Sequence, residues 1–202
     1  VALTGESVVA STTLDESLAA PAGDDDGIDP AYISAANIAA LFATPQFGAD
    51  GAASATTDVT YSLSVAAADA DTGLWLTGKS DAADEIVLVK VSDTEYAGRE
   101  GGGTGTIAFT VSINAQTGEV TVDQVNTLEH TTDGSTAAAH DDASLVLDSN
   151  VYVVQTVKDA DGDTDSATSA NALSITFEDD GPDAVALTGE SVVASTTLDE
   201  SL

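Results

Sequence analysis

Apolar residues recur at every second position in three stretches of the chain: Val59, Tyr61, Leu63 and Val65; Ile107, Phe109, Val111 and Ile113; and Leu173, Ile175 and Phe177. A period of two turns one face of a strand to a core and the other to water. Residues 86–91 and 151–157 are more continuously apolar and β-branched, which predicts strands nearer the middle of a sheet. Between Ile113 and Val120 the segment NAQTGE predicts a hairpin connection, with Gly118 at positive φ and Val120 and Val122 returning on the partner strand. The run GGGTGT at 101–106 predicts a flexible hairpin tip. Several short strands separated by turn signals predict an all-β fold, an antiparallel β-sandwich. One stretch departs from this pattern. Asp29-Pro30 followed by AYISAANIAALFA predicts a short helix with Asp29 as N-cap, Pro30 at the first helical position and Ile33, Asn37, Ala40 and Leu41 along one stripe.

The first eighteen residues, VALTGESVVASTTLDESL, reappear letter for letter at 185–202, which sets a period of 184 residues. Such self-similarity is the signature of a tandem array whose units meet mainly their neighbours. A unit of this length can bury most of its own apolar surface, so each repeat is expected to be a complete domain. Residues 1–184 are read as one repeat and 185–202 as the opening of the next, with Val1 a cut within a longer chain. The trailing copy lacks its own domain and is expected either to stay unfolded or to dock on a second molecule as a swapped segment.

Charge narrows the partners. Thirty-five acidic residues face only Lys79, Lys90, Arg99 and Lys158, a formal charge of −31. A field of that sign excludes nucleic acid and disfavours an anionic membrane. No apolar run approaches the length of a membrane span, so no membrane insertion is expected. Self-repulsion on this scale opposes compaction unless cations offset it, and divalent cations are the obvious candidates. With no cysteine there are no disulfide staples.

Candidate chemistry follows from where the carboxylates sit. In KDADGDTDSAT, Asp159, Asp161, Asp163 and Asp165 recur at every second residue directly after the apolar strand 151–157. Clustered aspartates and backbone carbonyls on a glycine-containing turn supply the hard oxygens that Ca²⁺ prefers. The spacing is not that of an EF-hand, because Gly162 is fourth and Ala170 stands at position twelve. A second cluster, FEDDGPD, places Asp179, Asp180 and Asp183 around Gly181-Pro182 at the end of the last strand. Acidic residues of a repeat opening lie just beyond it, Asp199 and Glu200, whose counterparts in the first copy are Asp15 and Glu16. Ions held between the end of one unit and the start of the next would restrict bending. Weaker candidates are Asp24, Asp25, Asp26 and Asp29, and the pair Asp69 and Asp71 in DADTG; a run of charge is usually a solvated face. His130 and His140 carry no flanking ligand pattern, so a zinc site would need partners from elsewhere in the chain. No nucleophile elbow, phosphate loop or metalloprotease helix is present, and an enzyme is not expected. Trp75 in GLWLTG is a core residue or a sugar-stacking platform.

Taken together, YSLSV, DADTGL, GTIAFTVSINAQTGEVTVDQ, VYVVQTVKDADGDTDSAT and LSITFEDDGP resemble the long tandem repeats of type-I-secreted RTX adhesins of Gram-negative bacteria. The likeness covers roughly 57–184, and the pairing of DADGD with a terminal DDGP is its most specific part. The resemblance implies an immunoglobulin- or cadherin-like Greek-key sandwich, extracellular at the cell surface, that projects a distal ligand-binding region for attachment or biofilm formation. It implies calcium held by Asp159, Asp161 and Asp163, and by Asp179, Asp180 and Asp183 with acidic residues of the next repeat. Adjacent repeats of the same chain are the expected partners, in a largely monomeric protein. A competing expectation is a calcium-dependent module that itself binds carbohydrate or a surface polymer.

Overall fold

In the computed structural model the described residues are 9–16, 30–54, 57–67, 69–130, 144–147 and 151–179. They form twelve strands and one short helix. The strands are β1 (Ser11–Asp15), β2 (Ala31–Ile33), β3 (Val59–Val65), β4 (Ala70–Asp71), β5 (Ile86–Ser92), β6 (Glu95–Glu100), β7 (Ile107–Ile113), β8 (Val120–Gln124), β9 (Ser144–Val146), β10 (Val151–Lys158), β11 (Thr164–Thr168) and β12 (Ser174–Glu178). The helix, α1, is Ala35–Ala39. A six-stranded sheet in the order β2-β8-β7-β6-β5-β4 accompanies two three-stranded sheets, β11-β10-β3 and β1-β12-β9. The fold is all-β, a β-sandwich with one short helix.

Alternation in the sequence becomes alternation in burial. Tyr61 and Leu63 of β3, Phe109, Val111 and Ile113 of β7, Val120 and Val122 of β8, and Ile175 and Phe177 of β12 all lie in one continuous core. The rings of Phe109 and Phe177 meet at 5.1 Å between centroids and join the six-stranded sheet to the β1-β12-β9 sheet. An aromatic pair in this tilted geometry adds about 0.5–1.5 kcal/mol beyond the area it buries. The β7–β8 turn forms as expected. Gly118 takes φ +78, and the Asn114 side chain accepts from the amides of Gln116 and Thr117 at 3.0 Å each. The 101–106 tip joins β6 to β7, and its ends are tied by Glu100 N to Thr106 O at 3.0 Å and by the Arg99 guanidinium to Gly105 O at 3.0 Å.

Two expectations are corrected. The helix begins five residues later than its sequence pattern suggests: Ser34 is the N-cap, accepting from the Asn37 amide at 3.3 Å, and Ile38 is its buried residue. Ala31–Ile33 instead extend along β8, pairing Tyr32 with Thr121 and Ile33 with Val120. An open sheet edge offers these residues a ladder that a lone helical turn cannot match. Strand β10 is central in its sheet, but the equally apolar β5 lies one strand from an edge, its only outer neighbour the two-residue β4. Its far end is accordingly exposed from Lys90 to Ser92. The sheets are antiparallel as expected, with one local exception. Strand β1 pairs with β12 in parallel, Ser11 opposite Ser174 through Asp15 opposite Glu178, whereas every other ladder among the described residues is antiparallel. The C-terminal ends of β1 and β12 therefore lie side by side.

Candidate functional site

Three of the four alternating aspartates, Asp159, Asp161 and Asp163, occupy the turn between β10 and β11, and Asp165 lies within β11 opposite Val157. Gly162 takes φ +105, and this left-handed residue lets the turn curl back over Asp159. The Asp159 carboxylate accepts from the amides of Gly162 at 3.0 Å and Asp163 at 2.8 Å, while its own amide donates to Asp163 O at 3.0 Å. Its carboxyl is held below the usual carboxylate range, first by a hydrogen bond with the Asp161 carboxyl and then by the backbone donors around it.

A third acid arrives from a distant loop. Ala52 bridges to Asp159, Ala53 N donates to Lys158 O at 3.3 Å, and Ala160 N donates to Gly51 O at 3.0 Å. This stitching brings Asp50 beside the turn, where one ligand atom each from Asp50, Asp159 and Asp161 lies within 4.8 Å of the others. Among the described residues no lysine or arginine pairs with any of the three. Asp163 and Asp165 line an adjoining open groove with Gln46, Phe47 and Gly48. Asp165 also accepts from the Ser166 amide at 2.9 Å. Asp50 had no signal in the sequence beyond its charge, because its neighbours form no acidic run.

The parallel β1–β12 pair creates the second cluster. Glu16 N donates to Glu178 O at 3.0 Å, continuing the ladder by one step, and this carries the Glu16 side chain into the interior near Asp179. The Glu16 carboxylate accepts from the Leu128 amide at 2.8 Å and from the Gln124 side-chain amide. His130 Nε2 stands 3.8 Å from the same Glu16 oxygen, with only 3% of the histidine side chain and 4% of the glutamate exposed. Ligand atoms of Glu16, His130 and Asp179 fall within 4.8 Å of one another. Glu16, from the opening segment, thus meets Asp179 of the FEDDGPD motif. Sequence spacing gave no hint of His130, which is 114 residues from Glu16.

The remaining candidates are scattered. Asp15 is half-buried at the end of β1. Asp69 has φ +51 beside β4, and Asp71 ends that strand; neither joins a group of three metal-ligating side chains among the described residues. Asp24, Asp25, Asp26, Asp29, Asp180, Asp183, Asp199, Glu200 and His140 lie outside the described residues. Trp75 is half-buried and its indole N–H donates to Asp81 O at 2.9 Å, so one edge of the ring is anchored to the protein itself.

The chain matches a family described as "Domain of unknown function (DUF5801)" over residues 11–187. It belongs to the DUF5801 family. The match opens at the first residue of β1 and runs past both acidic clusters, so the parallel closing strand lies inside the DUF5801 unit. No curated protein and no solved structure matches the chain. No helix among the described residues is long and apolar enough to cross a membrane.

Proposed function

We propose that this DUF5801 domain is a calcium-stabilised structural repeat, one unit of a tandem array that extends a large bacterial surface adhesin outward from the cell. Its role is mechanical rather than catalytic: it sets the reach of a distal ligand-binding region used for attachment. The observation that carries the reading is the convergence of Asp50 on Asp159 and Asp161 without a basic partner. In a chain of charge −31, three carboxylates stitched together by backbone bridges repel one another unless a cation lies among them. Oxygen-only donors on a flexible turn suit Ca²⁺ over transition metals. The exact 184-residue recurrence of the opening segment supports the array, and the likeness of DADGD and DDGP to adhesin repeats supports the setting.

Thermal unfolding of the metal-stripped chain, with and without Ca²⁺, tests the reading. An ion present at a hundredfold its dissociation constant stabilises the folded form by about 2.7 kcal/mol. For a domain of this size that is a rise in Tm of roughly 5–10 °C. The Asp50→Asn variant should lose most of that rise. Identical Tm values in EDTA and in millimolar calcium would remove the basis of the proposal.

A further inference from the structure

We infer that Glu16, His130 and Asp179 form a second metal site of a different chemical class, one that takes a nitrogen-tolerant transition ion such as Zn²⁺ in preference to Ca²⁺. Calcium seeks six to eight oxygen donors, whereas an imidazole flanked by two carboxylates is a donor set of zinc type. Geometry agrees with the donor types. The 3.8 Å between Glu16 Oε1 and His130 Nε2 is too long for a hydrogen bond. Zinc bonded to nitrogen and oxygen at about 2.0–2.2 Å holds its ligand atoms roughly 3.3–3.6 Å apart, so a contraction of a few tenths of an ångström closes the pair on an ion. Asp179 completes three ligands within 4.8 Å of one another.

Groups around the cluster are arranged as supports. The Leu128 amide and the Gln124 side chain both donate to Glu16 and fix its carboxylate, the kind of outer hydrogen bonding that orients a metal ligand. Gln124 supplies an independent sign of a ligand. It is 3% exposed, its Nε2 is pressed against Glu16, and its Oε1 is buried with no hydrogen-bond partner. An orphaned buried carbonyl oxygen is uncommon in folded proteins. This one belongs to the side chain that holds Glu16, so an unsatisfied buried acceptor lies within a few bonds of the cluster. An open groove lined by Thr77, Thr127, Glu129 and the three ligands connects the cluster to solvent and gives an ion its way in.

This site stands apart from the calcium turn, and the test keeps the two separable. The full chain is stripped of metal, saturated with Ca²⁺ and titrated with Zn²⁺, while ¹⁵N spectra follow the imidazole nitrogens. One equivalent of Zn²⁺ should shift the His130 ring nitrogens and leave those of His140 in place. Co²⁺ should give the visible absorption of a four- or five-coordinate ion. His130→Gln should weaken Zn²⁺ binding at least tenfold and leave the calcium-induced rise in Tm unchanged, whereas His140→Gln should change neither. Unmoved His130 nitrogens in the unsubstituted protein would overturn the inference, even if His130→Gln fails to fold. Equal Zn²⁺ affinity in that variant, or displacement of Zn²⁺ by millimolar Ca²⁺, would do the same.

Discussion

Replacing Glu16 with alanine is the sharpest probe of how the first strand closes the domain. Glu16 is buried, and its carboxylate accepts from the Leu128 amide and the Gln124 side chain, which lie more than a hundred residues away in the chain. Glu16→Ala strands the Leu128 amide in the interior and leaves the Gln124 side chain only its longer bond to Asn126 O at 3.3 Å. Each buried donor left without an acceptor costs about 1–3 kcal/mol. Removing a buried charge returns part of that, since the carboxylate no longer has to be taken out of water. A net loss of about 2–4 kcal/mol is expected, which for a domain of this size lowers Tm by roughly 4–16 °C. Urea unfolding in EDTA measures it free of any metal, and the slope of the transition should stay unchanged because the same surface is exposed. Glu16→Gln keeps an oxygen for Leu128 and should lose less than half as much. Thr13→Ala, exposed on the same strand, should stay within about 0.5 kcal/mol of the parent. Hydrogen exchange at the Leu128 amide should speed up in Glu16→Ala alone. An unchanged midpoint together with unchanged Leu128 protection would mean that Glu16 is not inserted there and that the parallel register of β1 on β12 is wrong.

Two further outcomes follow from the same contacts. Because the folded-state pKa of Asp159 is depressed, the metal-free turn holds its contribution above the ordinary aspartate value of 3.8 and loses it as pH falls through the lower folded value; the exchange protection of the Gly162 and Asp163 amides, relative to the intrinsic rate at each pH, should therefore fall only below about pH 4. Residues 195–200 repeat STTLDE of 11–16, so a chain lacking 1–18 should recover a cooperative melt through the trailing copy and show dimers or larger assemblies by light scattering; equal instability of this chain and one lacking both copies would refute exchange into the β1 position.

Much of the sandwich was legible because its determinants are local. Alternation at Tyr61 and Leu63, or at Phe109, Val111 and Ile113, is fixed by a two-residue period and survives any sheet order. The β7–β8 turn was equally readable, since Asn114 and Gly118 carry the turn within six residues. Misplacement of the helix start has the opposite origin. Tyr32 and Ile33 prefer extended backbone only because β8 offers an unpaired edge, and nothing near Pro30 announces that edge. The position of β5 failed for a similar reason: its apolar run matches that of β10, but only β10 has two full-length neighbours. The parallel direction of β1 on β12 was invisible, as alternation is the same in parallel and antiparallel pairs.

The two acidic clusters divide along the same line. Asp159 and Asp161 sit in one turn, so the sequence could mark them; Asp50 joins them through a bridge between Ala52 and Asp159 that no spacing rule encodes. Glu16, His130 and Asp179 come from the first strand, the segment after β8 and the end of the last strand, and they meet only because β1 runs parallel to β12. That direction changes what the duplicated acids mean. Had β1 lain antiparallel, Glu16 would sit at the opposite end of β12 from Asp179, and an ion near Asp179 would have to draw its other carboxylates from the following repeat. In the parallel arrangement Glu16 and Asp179 come together within the same domain. An ion bound there, as inferred above, would brace the first strand against the last within the domain.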